Sequence, residues 1–301
     1  MSAPRFADID DVRDRLAQAG YLASDAIATT VYLADRLGKP LLIEGPAGVG
    51  KTELSKAVAA ATGTDLVRLQ CYEGVDEARA LYEWNHAKQL LRITAAGAHH
   101  DATGADEADW SSVRDDIFTD EFLLDRPLLQ AVRSPEPVVL LIDELDKADV
   151  EIEGLLLEIL SDFQVTVPEL GTITARHTPF VVLTSNATRE LSEALRRRCL
   201  YLHIDYPEAA LEQQILAVKV PDLDATIAAS VVRLIGALRG MRLRKSPSVA
   251  ETIDWARTLV DLGGPDLADD LDPALIEATL GVVLKHREDI EAAATRLELR
   301  A

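Results

Sequence analysis

Cysteine, methionine and aromatic residues are all scarce in this chain: two cysteines, two methionines and 5% aromatics in 301 residues. Cys71 and Cys199 are far apart and match no metal or redox spacing, so both are read as buried thiols. Positive charge is in deficit as well. Against 51 Asp+Glu there are 31 Lys+Arg, a net charge of −20 and a pI near 4.7. A field of that sign repels phosphate backbones and argues against general nucleic-acid binding. Also missing is any apolar run of the roughly 18 residues needed to cross a bilayer. The opening MSAPRFADIDDVRDRL is acidic, without the apolar core of a signal peptide, so the expectation is a cytoplasmic protein with no membrane span. What the chain does have is 48% hydrophobic residues, enough for a sizeable core and too many for global disorder.

Five short apolar runs recur: PLLIEG (40–45), DLVRLQ (65–70), PVVLLIDE (137–144), PFVVLTSN (179–186) and LYLHIDYP (200–207). Most lack polar alternation, as parallel strands covered on both faces do. Helix-like segments separate them, among them SDAIATTVYLADRLGKP, with Ser24 as N-cap and Gly38 and Pro40 as stops. The rhythm predicts a doubly wound α/β domain over residues 1–207. Two stretches break it. AAGAHHDATGADEADW (95–110) reads as a polar surface loop, and its adjacent His99 and His100 do not converge as metal ligands. QVTVPELGTITAR (164–176) alternates around PELG and reads as a hairpin. Beyond Pro207 strand-like runs stop, and four helical patterns predict an all-helical domain over 208–301.

The strongest chemical signal is GPAGVGKT, Gly45-Pro46-Ala47-Gly48-Val49-Gly50-Lys51-Thr52, followed by Glu53. It fits G-x-x-x-x-G-K-[ST] between a strand and a helix. Its glycines let backbone N–H groups wrap anionic oxygens, and the helix start adds a positive end. Lys51 offers a mobile charge to β- and γ-phosphates, and Thr52 a hydroxyl to Mg²⁺. The second signal is VVLLIDE (138–144). Asp143 at the strand tip is placed to hold the Mg²⁺ water shell, and Glu144 to act as general base on an attacking water. That favours hydrolysis over phosphoryl transfer to a small acceptor. Asp146 and Asp149 read as helix-start acids. Asn186, ending VVLTSN, is placed to orient the water or touch the γ-phosphate.

In this order and spacing the motifs resemble an AAA+ ATPase: Gly45–Thr52 as Walker A, Asp143 and Glu144 as Walker B, Asn186 as sensor 1. Hairpin 164–176 resembles the pre-sensor-1 insertion, and the segment after 207 the helical lid. LLIEGPAGVGKTELSKAVA, IDELDKAD, EALRRRCLYLHIDYP and KSPSVAETIDWARTL look like the MoxR family, nearest its CoxD-like branch. The resemblance implies a parallel five-stranded sheet ordered 5-1-4-3-2, ATP and Mg²⁺, and a ring homo-oligomer, usually a hexamer. It also implies chaperone-like remodelling or maturation of a client enzyme, metal or cofactor insertion included, with a partner carrying a von Willebrand factor A domain. One departure stands out. The family's sensor 2 arginine follows a Ser-Pro pair, whereas this chain has Ser248 after Pro247. Ser248 and Glu251 form a capping-box pattern, which leaves Lys245, or Arg244, as the cation that reaches nucleotide from that helix start.

The resemblance also locates the arginine triplet Arg196-Arg197-Arg198, directly before the last apolar run, where AAA+ proteins carry the arginine finger. A guanidinium there bridges γ-phosphate oxygens of a neighbour's nucleotide. Matching to the last strand favours Arg198, then Arg197, and leaves Arg196 to pair with surface acids. A nucleic-acid motor or loader and a nucleotide-gated scaffold with little turnover are the competing functions. The negative charge opposes the first; Lys51, Asp143 and Glu144 together oppose the second.

Overall fold

A computed structural model describes residues 4–103, 116–263 and 271–297 of the chain. Among these, nine strands form: β1 (Leu41–Glu44), β2 (Asp65–Gln70), β3 (Tyr82–Trp84), β4 (Leu123–Asp125), β5 (Val138–Asp143), β6 (Gln164–Val167), β7 (Gly171–Thr174), β8 (Phe180–Ser185) and β9 (Leu200–His203). Each of the five apolar runs is a strand of one parallel sheet, ordered β2-β5-β8-β1-β9. Ranked in chain order, these five strands read 2-3-4-1-5, the expected 5-1-4-3-2 seen from the opposite edge.

The absence of polar alternation has the expected cause: β1, β5 and β8 are buried along their whole length. Successive side chains point to opposite faces. Val139 and Leu141 join Leu41, Ile43 and Val182 in one core, with residues of helices Ile9–Gln18, Asp25–Leu37 and Lys51–Thr62. Leu140 and Ile142 join Leu42, Val181 and Leu183 in the other, with helices Pro127–Arg133 and Val150–Asp162. Register aligns the carboxyl ends: Glu44 pairs with Ser185 and His203, and Gln70 with Asp143. Polar groups that follow the buried runs are thereby gathered along one edge.

Local signals hold where they are strong. Ser24 caps Asp25–Leu37, accepting from the Ile27 N–H, and Gly38 ends that helix in a left-handed conformation. β6 and β7 form the hairpin inside 164–176. The loop expected over 95–110 is corrected: helix His86–Thr103 runs through its first half, because AKQLLRITAA is rich in good helix formers. The rest of that stretch, 104–110, lies outside the described residues. The paired strands β3 and β4 were not expected, since three residues are too few to show a period.

After Pro207 the described chain is helical: Ala209–Lys219, Ala225–Arg239, Val249–Gly263, Pro273–Val283 and Arg287–Arg296. PALIEATLGVVLKHREDIEAAATRLE reads as one of the four helical patterns but forms two helices, separated at Leu284. Trp255 is fully buried at the centre of this region, its indole N–H donating to the Thr279 hydroxyl at 2.8 Å. Among the described residues no helix is long and apolar enough to cross a membrane.

Candidate functional site

Between Glu44 and Lys51 the chain makes a loop that only glycine permits. Gly45, Gly48 and Gly50 have φ of 152°, 74° and 98°. A Cβ on Gly45 would lie 1.9 Å from the carbonyl oxygen of Ile204, and one on Gly48 2.4 Å from Cβ of Ser248. The loop is thus gripped by the segment leaving β9 and by the start of helix Val249–Gly263, and the Ala250 N–H reaches the Gly48 carbonyl at 3.4 Å. Gly50 precedes the helix with no side-chain cap, so the first N–H groups stay free for an anion. Lys51, buried, donates to the carbonyls of Gly45 and Pro46 at 2.7 Å each and to Oδ1 of Asn186 at 2.8 Å. Burial lowers the pKa of its ammonium, against the opposing pull of Asp146, Asp143 and Glu144. Val49 packs into the core; Ala47 and Glu53 line the cleft above the loop.

Across from this loop stand the tips of β5 and β8. The Thr52 hydroxyl donates to Oδ1 of Asp143 at 2.9 Å, and Thr184 donates to the same oxygen at 2.6 Å. Arg68 of β2 pairs with the other oxygen. Glu144 sits in the left-handed region, φ 57°, its N–H bonded to the Thr184 hydroxyl at 2.9 Å. Its carboxylate accepts from the Gln70 amide at 3.0 Å and from Lys147 at 2.6 Å. Ala187, beside Asn186, is also left-handed, φ 56°. Two non-glycine residues in this sparsely populated region therefore flank one cleft.

Asp146 does stand in the first turn of a short 3-10 helix, Leu145–Lys147, but its carboxylate turns to other partners. It is buried and accepts the N–H of Asn186 at 3.1 Å, the N–H of Thr188 at 3.1 Å and the Thr188 hydroxyl at 2.6 Å. Burial disfavours its charge, yet these donors outweigh burial and hold its pKa below the ordinary carboxylate value. Asp149 does precede helix Val150–Asp162 at the N-cap position. Sequence reasoning missed Arg68, Gln70 and Thr184 as well. Arg68 and Gln70 were legible only as the polar interruptions of DLVRLQ.

A cleft of about 940 Å³ joins these groups. Ala47 to Glu53, Asp143, Glu144 and Asn186 line its floor; Tyr21, Tyr206, Ile215 and Ile253 line apolar walls. Burial, and Glu53 after it, push the Tyr21 phenol pKa well above its usual value. Lys245 is not in the wall. Its ammonium pairs with Glu251 at 2.9 Å, and Arg244 faces Glu288 at 3.6 Å. The capping box is present: the Ser248 N–H donates to Glu251 at 2.8 Å, and the Glu251 N–H to the Ser248 hydroxyl at 3.2 Å.

None of the three consecutive arginines lines this cleft. Arg196 was expected to meet surface acids; instead it pairs at 2.6 Å with Glu44, a buried acid at the β1 tip. Arg198 donates to the Ser161 hydroxyl at 2.7 Å and to the Ala194 carbonyl at 2.9 Å. Arg197 reaches furthest out, 75% exposed, paired only with the equally exposed Glu193 one turn back.

Such a floor has the N–H groups and the lysine needed to cradle phosphates, and hard oxygen donors beside a carboxylate. The family model AAA domain (dynein-related subfamily) matches residues 40–199, just over half the chain and the whole of this floor. The denitrification regulatory protein NirQ of Stutzerimonas stutzeri is 26% identical over 83% of this chain and 85% of its own. NorQ of Paracoccus denitrificans is 25% identical over 67% and 66%. The chaperone protein ClpB 2 of Parasynechococcus marenigrum is 34% identical over 48% of this chain, which spans only 13% of that protein. A RuvB mutant of Thermotoga maritima superposes with a TM-score of 0.50 at 17% identity, covering 92% of this chain and 70% of its own, which shows a shared fold. The chain belongs to the AAA domain family, dynein-related subfamily, and is an AAA+ ATPase.

Proposed function

We propose that this chain hydrolyses ATP in a ring of identical subunits and uses the energy to remodel or mature a partner protein. The observation that carries the proposal is the convergence of Lys51, Thr52, Asp143, Glu144 and Asn186 on one cleft floor. The loop 45–50 and the start of helix Lys51–Thr62 bind the phosphates through N–H groups. Lys51 exchanges the loop carbonyls for β- and γ-phosphate oxygens. Glu144 takes a proton from the attacking water, and Asn186 holds that water or the γ-phosphate. The Thr52 hydroxyl and Asp143 carboxylate are all-oxygen donors suited to Mg²⁺, which when bound neutralises phosphate charge. No cluster of three metal-binding side chains exists among the described residues.

One arginine, Arg257 of helix Val249–Gly263, lines the cleft, facing Asp254 at 3.7 Å, and the triplet 196–198 lies outside the lining. In the proposed ring, Arg197 or Arg198 reaches the nucleotide of the neighbour. Arg198 has the better sequence position, Arg197 the freer guanidinium. Residues 1–207 form the nucleotide-binding domain and 208–301 the lid. The chaperone-like role draws on the similarity to ClpB and to NorQ and NirQ. A client enzyme and a von Willebrand factor A partner are what the resemblance to the MoxR family implies. ATP turnover with and without Mg²⁺ tests the site: the wild type needs both, and Lys51→Ala is silent. Turnover by Lys51→Ala equal to wild type rejects the proposal.

A further inference from the structure

One helix, Val150–Asp162, begins six residues after Glu144 and grips the arginine-bearing turn at two points. Near its start, Glu153 is almost fully buried, 1% exposed. Its carboxylate accepts the N–H of Ser192 at 2.8 Å and pairs with Arg189. Burial disfavours its charge, but the Ser192 and Arg189 donors outweigh that and keep its pKa below the usual value. Arg189 also donates to the Ala148 carbonyl at 2.8 Å, fastening the turn to the segment that leads from Glu144 into the helix. Ser192 caps the short helix Glu193–Arg196, whose Leu195 is fully buried. Two turns along the long helix, Ser161 accepts from Arg198.

This arrangement is continuous with the strand tips. Asp146 fixes Asn186 and Thr188, and Arg189 is the next residue. A buried carboxylate with a charged partner is costly to hold unless fully bonded. Here it does not line the cleft, and its recorded partners are Arg189 and Ser192. We infer that Glu153 is a positioning residue: it sets the turn 193–198 relative to the strand-tip site, so that a subunit lacking it keeps its own ATP site but cannot complete its neighbour's. The inference rests on the reading that Arg197 or Arg198 acts across the ring.

The test separates the two roles of a subunit. Lys51→Ala subunits donate arginines and cannot use their own site; Arg197→Ala/Arg198→Ala subunits keep a site and donate none. Mixed, the two restore turnover. Lys51→Ala/Glu153→Gln donors should restore roughly tenfold less, the scale expected of a misplaced catalytic group. Glu153→Gln introduced into the site-bearing subunits instead should leave restoration intact, which a general loss of folding would not. Equal restoration by both donors, or equal loss in both roles, overturns the inference. Failure of the unmodified pair to restore any turnover rejects action across the ring, and the inference with it. Arg189→Met, run through the same arms, gives the same pattern should Glu153→Gln fold poorly.

Discussion

The side-chain amide of Gln70 donates to the carboxylate of Glu144 at 3.0 Å, from the tip of β2 to the tip of β5. Lys147 holds the same carboxylate oxygen from the other side. Glu144 is strained in its backbone and bonded at its head, so its direction is over-determined. Replacing Gln70 by Leu removes one tether without touching the phosphate loop. Steady-state kinetics should show kcat reduced roughly tenfold, since a small displacement of a general base is costly. ATP affinity, measured by fluorescent nucleotide titration, should stay the same. A weakened affinity with normal kcat would contradict this role.

The contact between Gly48 and Ser248 makes a second prediction. A Cβ at Gly48 meets Ser248, whereas one at Gly63, also at positive φ, meets nothing within 4 Å. Each substitution to Ala forces a left-handed alanine, about 1–3 kcal/mol. Gly48→Ala should cost more, because it also pushes the start of helix Val249–Gly263 off the loop. Thermal denaturation of the two variants side by side measures the difference; equal melting points would show that the contact gives way freely.

Within the helical region Arg239 forms a two-pronged pair with Glu212 at 2.7 and 2.8 Å, and its guanidinium lies 4.5 Å from the ring centre of Tyr206 in the cleft wall. Glu212 is 1% exposed. Arg239→Met strands that carboxylate and should destabilise by roughly 3–5 kcal/mol, while Glu212→Leu/Arg239→Met should recover much of the loss. Urea unfolding reads both values.

Burial pushes the thiols of Cys71 and Cys199 up to about 12, Cys71 with added repulsion from Asp143. At pH 8 about one thiol in ten thousand is then ionised, and iodoacetamide should label the folded protein far more slowly than the unfolded one. The folded pKa exceeds the unfolded value, so the associated stability is complete below about pH 9 and is lost between there and about pH 12. Rapid labelling of folded protein at pH 8 would refute this.

Much of the site is legible from residue order because it hangs on backbone signals. Glycines with forced φ, a fully apolar run ending in Asp143 and Glu144, and Asn186 at the next strand tip all sit on neighbouring strands that order them. The five-stranded order followed from resemblance rather than from pattern. What escaped depends on side chains meeting across strands or helices. Asp146 looks like any acid before a helix until Thr188 and Asn186 fold onto it. Arg196 finds Glu44 across 152 residues of sequence. The helix over 86–103 was hidden by the small and polar residues at its end.

The most direct test of the account is ATP hydrolysis by Glu144→Gln. Glutamine keeps the shape of the side chain and its contact with Gln70 but cannot accept a proton from water. The variant should bind ATP with wild-type affinity and fail to release phosphate, by roughly 10²–10⁴-fold, the range a general base contributes. Phosphate release at the wild-type rate would contradict the assignment of Glu144, and with it the proposed use of this cleft.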